Sequence, residues 1–284
     1  MRIQIWSVFL IVMIGNNCTA PQDDKKVEAT QNTKLVKLQE ETPTKRDSLS
    51  HILNLDYVMG KFNPAQHEDF VKIELKHADR EGLYLRKEVY AKFIEMYEAA
   101  SRDGVKLQIR SATRNFANQK RIWEAKWTGK RLVENGENLA KTTPNFGERA
   151  LKILRFSSMP STSRHHWGTD IDLNAFTNSY FEKGEGKKIY DWLQANASTY
   201  GFCQPYSEKS MNEGKDGKRA EGYDEEKWHW SYLPVALPLT NFAKDSLKNE
   251  LISGFKGAKV ATEIGVVEKY VLGINEECKK VLRH

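Results

Sequence analysis

Two short clusters of histidines and acids, about 50 residues apart, constrain this chain more than any other feature of its sequence. The first is Ser163-Arg164-His165-His166-Trp167-Gly168-Thr169-Asp170-Ile171-Asp172, and the second is Glu226-Lys227-Trp228-His229-Trp230. The chain holds only 7 histidines, and three of them fall here. Unrelated core or surface histidines would explain one such residue, but not the joint pattern. A catalytic zinc takes three protein ligands and keeps one position open for water, whose pKa it lowers to about 7. A separate carboxylate must then accept that water's proton as it attacks a carbonyl. His165, Asp172 and His229 can be those ligands and Glu226 that base, provided the fold brings both segments to one point. Asp170 competes with Asp172, because residues two apart on a strand face the same way. Glu226 lies three residues before His229, which on a strand would put them on opposite faces. The glutamate must therefore sit in a loop or bend that enters the strand.

These residues resemble the VanY-type zinc D-Ala-D-Ala carboxypeptidases, a family grouped with lysostaphin-type endopeptidases and the hedgehog signalling domain. Ser163, His165, Gly168 and Asp172 fill the pattern S-x-H-x-x-G-x-x-x-D, and Glu226, Trp228 and His229 fill E-x-W-H. Upstream, Ser111-Ala112-Thr113-Arg114 with Gln119 is similar to the family's S-x-x-R segment and its trailing glutamine. The likeness covers roughly residues 105 to 235 and leaves the tail beyond 241 unexplained. It implies zinc on His165, Asp172 and His229, with Glu226 and Arg114 catalytic. Ser111, Gln119, Ser163 and Trp228 would bind substrate. A guanidinium suits Arg114's place, since its fork matches a carboxylate and its charge stabilises a developing oxyanion. Many family members have alanine where this chain has Asp170. The family's seven-residue spacing selects Asp172 as ligand, leaving Asp170 to orient an imidazole. His166 is then a packed or pocket-lining residue, and Trp167, Trp230 and Tyr232 are pocket wall or core.

The resemblance further implies a single α+β domain with a small antiparallel sheet, flanking helices and the zinc site on the sheet. Its partners would be peptidoglycan stem peptides, and a monomer is expected. An endopeptidase on the same scaffold, a dipeptidase for free D-Ala-D-Ala, and a catalytically silent zinc-stabilised binding module remain alternatives. The presence of both Glu226 and Arg114 argues against the last.

The rest of the chain is read from pattern. Val89, Tyr90, Phe93, Met96, Tyr97 and Ala100 fall at helical spacing over 86–103, with Gly104 to stop the helix. Val105 to Ala112 alternates like a half-buried strand, and a second helix is expected over 116–127, stopped at Gly129. A third follows over 186–199, then a short strand over 202–206. The stretch from 241 to 284 reads as a helical extension with a break near Gly254 and Gly257. Helices and short strands in mixed order, without repeating βαβ units, favour α+β over a doubly wound sheet.

At the N-terminus an apolar run from Ile3 to Ile14 suits a signal peptide and is short for a membrane span. Residues 1–18 are expected to be that signal. Cys18 stands where a lipoprotein signal places its acylated cysteine, although Asn17 precedes it; cleavage near Ala20 without an anchor is the other reading. Residues 19–50 are polar and charged, and too poor in apolar area to offset the entropy of ordering. They read as a linker ahead of a peptidase domain over 51–240. Export to the periplasm or cell envelope follows, with a membrane tether if Cys18 is acylated. Cys203 and Cys278 would then be free to oxidise, but spacing alone does not pair them. The net charge of +6 is spread among 38 acids without a basic block, so nucleic acid is not an expected partner.

Overall fold

In the computed structural model, residues 47–210 and 218–280 are described. The expected signal peptide, the acylation site at Cys18 and nearly all of the expected linker lie outside them. No helix among the described residues is long and apolar enough to cross a membrane.

The helices are α1 (Leu55–Val58), α2 (Lys87–Arg102), α3 (Phe116–Trp127), α4 (Leu139–Thr142), α5 (Phe146–Ile153), α6 (Gly184–Asn196), α7 (Leu233–Ser246) and α8 (Ala261–Ile264). The strands are β1 (Phe70–Lys72), β2 (Tyr84–Arg86), β3 (Ile109–Ser111), β4 (Asp170–Leu173), β5 (Phe202–Cys203) and β6 (His229–Tyr232). β1 and β2 form a separate antiparallel pair, while the main sheet runs β3-β4-β6-β5, antiparallel throughout. This is the expected α+β arrangement of a small antiparallel sheet with flanking helices.

Local chemistry accounts for most of the elements. α2 buries Val89, Tyr90, Phe93, Met96 and Ala100 on one face. Asn115 caps α3 by accepting from the Asn118 amide, and that helix buries Trp123 and Trp127. The expected strand over 105–112 narrows to β3. Asn174 occupies the backbone before it, donating to Lys106 O at 2.8 Å from Nδ2 and to Gln108 O at 2.9 Å from its amide. The expected strand over 202–206 stops at Cys203, two residues before Pro205, which has no amide to offer a sheet.

The tail departs most from expectation. α7 begins well before 241, with a proline in its first turn, and beyond Leu247 the chain breaks into short turns. Gly254, Gly257 and Gly265 all take positive φ, which ends any longer helix. This segment is also no appendage. Ile252, Ile264, Val267, Val271, Ile274 and Cys278 are buried in the core shared with the sheet. Trp123 Nε1 donates to Lys256 O at 2.8 Å, Asn275 N to Pro205 O at 2.8 Å, and Cys278 is disulfide-bonded to Cys203 on β5. Among the described residues these contacts tie the segment beyond 240 to the sheet and to α3.

Candidate active site

The main sheet brings the two clusters together. On β4 and β6, Asp172 lies directly opposite His229, and Asp170 opposite Ser231. His165 stands in a 3-10 turn, Arg164–Trp167, which ends at Gly168 with φ +71 before the chain enters β4. A Cβ at Gly168 would fall 2.4 Å from Phe70 Cε1 and 2.8 Å from Arg86 Cγ, so both the backbone angle and the packing require glycine. Glu226 lies outside β6, in a turn closed by the His229 amide donating to Glu226 O at 3.2 Å. That bend carries its carboxylate to the same side as His229.

Tautomers follow from the partners. His165 Nδ1 faces Ala112 O at 2.9 Å, and a carbonyl only accepts, so the proton sits on Nδ1 and leaves Nε2 its lone pair. That Nε2 is 3.3 Å from Asp172 Oδ2. His229 Nε2 donates to Asp170 Oδ1 at 2.8 Å, which turns Nδ1 toward Asp172 Oδ1 at 3.1 Å and Glu226 Oε2 at 3.3 Å. One ligand atom from each of His165, Asp172 and His229 lies within 4.8 Å of the others, and all three residues are buried. Asp172 Oδ1 is buried without a hydrogen-bond partner. Two imidazole lone pairs, a carboxylate with an unsatisfied buried oxygen and one further acid make a donor set that fits a divalent cation.

The electrostatics point the same way. Burial opposes a charge on His229, yet the carboxylates of Asp170, Asp172 and Glu226 outweigh it and raise its pKa well above the usual range. The site therefore favours positive charge at this spot. Burial, helped by Arg114, lowers the pKa of His165 and keeps it neutral. Burial raises Glu226, and Asp172 adds to the rise. Asp170 is buried too, but Arg164 and His229 hold its pKa far below normal. Arg164 gives Asp170 an Nε bond at 3.2 Å and reaches Thr240 and Ser231 with its other nitrogens. Thr169 and Ser231 donate to the second Asp170 oxygen. Asp170 thus orients the imidazole and has no oxygen left for an ion.

Arg114 Nη1 is 3.4 Å from Asp172 Oδ2. Its Nη1 also donates to Ser111 Oγ, and its Nε donates to Gln119 Oε1 at 3.0 Å. Gln119 in turn donates to Ser158 O at 2.7 Å. Ser111 and Gln119, both expected to bind substrate, each accept a bond from the guanidinium and so help to hold it. All of these, with Trp228, Tyr206, Tyr223 and Phe156, line a cavity of about 740 Å³. Ser163 is not on that wall; its hydroxyl is buried without a partner. Trp167, Trp230 and Tyr232 are core, and His166 is fully buried between Arg114 O and the Ser161 amide. Sequence reasoning missed Tyr206, whose ring lies 4.6 Å from that of His229. It also missed the buried Arg164. Arg164's partners come from β4, β6 and α7, so no local pattern announces them.

The family model described as VanY, D-alanyl-D-alanine carboxypeptidase, matches residues 82–235, a little over half of the chain. The "Putative carboxypeptidase YodJ" of Bacillus subtilis (strain 168) is 25% identical over 203 residues, which cover 68% of this chain and 63% of that protein. The match thus spans somewhat less than two thirds of that relative's length. Among solved structures, VanYB in complex with D-Alanine-D-Alanine is 21% identical with a TM-score of 0.43, over 64% of this chain and 87% of that one. The LdcB LD-carboxypeptidase is 22% identical with a TM-score of 0.43, over 78% and 81%.

Proposed function

Because the chain belongs to the VanY family of D-alanyl-D-alanine carboxypeptidases, we propose that it is an exported zinc D-Ala-D-Ala carboxypeptidase that trims peptidoglycan stem peptides in the cell envelope. What carries this reading is one convergence: the inward atoms of His165, Asp172 and His229, with Glu226 Oε2 3.3 Å from His229 Nδ1. Arg114 lies in the wall of the same cavity. Zinc held by the first three would supply Lewis acidity, lowering the pKa of water to about 7.

The protein's own groups do the rest. Glu226, made more basic by burial, accepts the proton of the water that attacks the scissile carbonyl. Arg114, already fixed by Ser111 and Gln119, stabilises negative charge on the carbonyl oxygen without reorganising. Glu226 then passes its proton to the leaving amine, which frees D-alanine and a shortened acid. No acyl-enzyme is required.

Mass spectrometry of purified muropeptides incubated with the full-length, zinc-loaded protein tests the proposal. The expected product is a pentapeptide stem shortened by one terminal D-Ala. A severed cross-link with intact stem ends would make it an endopeptidase, and trimming of tetrapeptide stems alone would move it to another bond. Unchanged muropeptides from a zinc-bound protein would favour the binding module.

A further inference from the structure

The cavity has a cationic stretch of wall that the reaction above leaves unused. Lys126, in the last turn of α3, is only 7% exposed and lines the cavity together with Arg121 and Arg131. Its ammonium donates to Ser157 Oγ at 2.7 Å. Among the described residues no carboxylate forms an ion pair with it. Glu134, also on the cavity wall, and more weakly Glu226 act on it through space, opposed by Arg131 and Arg114. Burial outweighs them all and lowers its pKa. An ammonium has three protons to donate, and a buried one is costly unless it is paired. Lysine is among the residues least often buried for that reason. Lys120, on the same helix, behaves in the usual way: it is half-buried, bonded to Gly254 O and paired with Glu124 at 4.0 Å.

Lys126 is also connected to the candidate metal site. Asp172 meets Arg114, Arg114 meets Gln119, Gln119 donates to Ser158 O, and the adjacent Ser157 accepts from Lys126. A peptide lying along this wall from the scissile bond would pass the ammonium.

We propose that Lys126 recognises a carboxylate of the substrate, which enters the cavity and becomes the counter-ion that the fold does not supply. The proposal rests on the stem-peptide reading above. A stem peptide can offer such a group at its free C-terminus or, when its third residue is diaminopimelate, on that side chain. The chemistry is the same in both cases, and an ammonium, unlike a guanidinium fork, does not prescribe the direction of approach.

Titration calorimetry on the full-length, zinc-loaded Glu226→Gln protein separates the cases without relying on turnover. Three peptides ending in D-Ala-D-Ala serve as probes: a free acid with lysine third, its C-terminal carboxamide, and a free acid with diaminopimelate third. Adding Lys126→Met should weaken the recognised acid on the order of 30-fold, the loss expected when one partner of a buried charge pair is removed. If the C-terminus is the source, the carboxamide should bind weakly to both proteins and show no further loss. If the side chain is the source, only the diaminopimelate peptide should feel the substitution. Lys126→Arg should regain part of the affinity, and the thermal midpoint of Lys126→Met should hold or rise, since a buried charge has been removed. Equal losses for all three peptides, no loss for any, or no measurable binding would overturn the proposal. Carboxylate-dependent binding by a protein whose wild type cleaves no stem would sink the catalytic reading and leave this one standing.

Discussion

Asp170 and Asp172 lie two residues apart on the same strand and do different work because of what surrounds them. Asp170 is saturated by Arg164, His229, Thr169 and Ser231, whereas Asp172 keeps a buried oxygen without a bond. The resemblance to the family, through its histidine-to-aspartate spacing, was enough to prefer Asp172 from sequence. It could not show that Asp170 neutralises a buried arginine, because Thr240 and Ser231 come from distant parts of the chain. The two substitutions should therefore separate. Asp172→Asn should lose stoichiometric metal while folding near normally. Asp170→Asn should keep a site weakened about 10–100-fold, the usual cost of losing a group that orients a ligand. It should also destabilise the protein by about 3–5 kcal/mol, because Arg164 is left buried and unpaired. Metal per chain by elemental analysis, paired with thermal unfolding, reads both. Metal retained in Asp172→Asn and lost in Asp170→Asn would reverse the assignment.

At the scale of elements, the site depends on two bends that feed the sheet. One is the turn at Glu226, which its three-residue offset from His229 already demanded. The other is the 3-10 turn that presents His165 and closes at Gly168. A pattern marks Gly168 as part of a motif, but the reason is tertiary: Phe70 and Arg86 arrive from the β1–β2 pair and leave no room for a methyl group. Gly168→Ala combines a positive φ with overpacking, so it should cost about 2–4 kcal/mol. It should also weaken metal binding by shifting His165. A thermal melt and a metal titration measure these, and a melt within about 0.5 kcal/mol of wild type, the scatter of ordinary surface changes, would contradict the packing argument. α2 and α3 were legible because burial on one helical face leaves a 3.6-residue trace. Short strands such as β3 and β5 were overextended, because the residues that end them, Asn174 and Pro205, act across the fold or by lacking an amide.

Across the whole molecule, the C-terminal segment is where sequence reading fell shortest. Its glycines were visible, but its burial against the sheet was not, since contacts between residues 123 and 256 or between 205 and 275 leave no periodic signal. The Cys203–Cys278 disulfide closes this wrap over a sequence separation of 75. Removing it through Cys278→Ser should cost about 2–4 kcal/mol, mainly by freeing the unfolded chain. The readout is a denaturant midpoint with and without reductant. A Cys278→Ser protein as stable as the oxidised wild type, or full alkylation of both thiols in native protein, would contradict the bond. The proposed reaction turns on Glu226, the group that would distinguish a peptidase from a zinc-stabilised scaffold. The most direct test measures turnover of a D-Ala-D-Ala stem peptide by Glu226→Gln, with zinc content determined on the same preparation. The expected result is zinc near one per chain and a rate about 10²–10⁴-fold below wild type, the usual value of a general base. Cleavage at the wild-type rate by the zinc-loaded variant would contradict it.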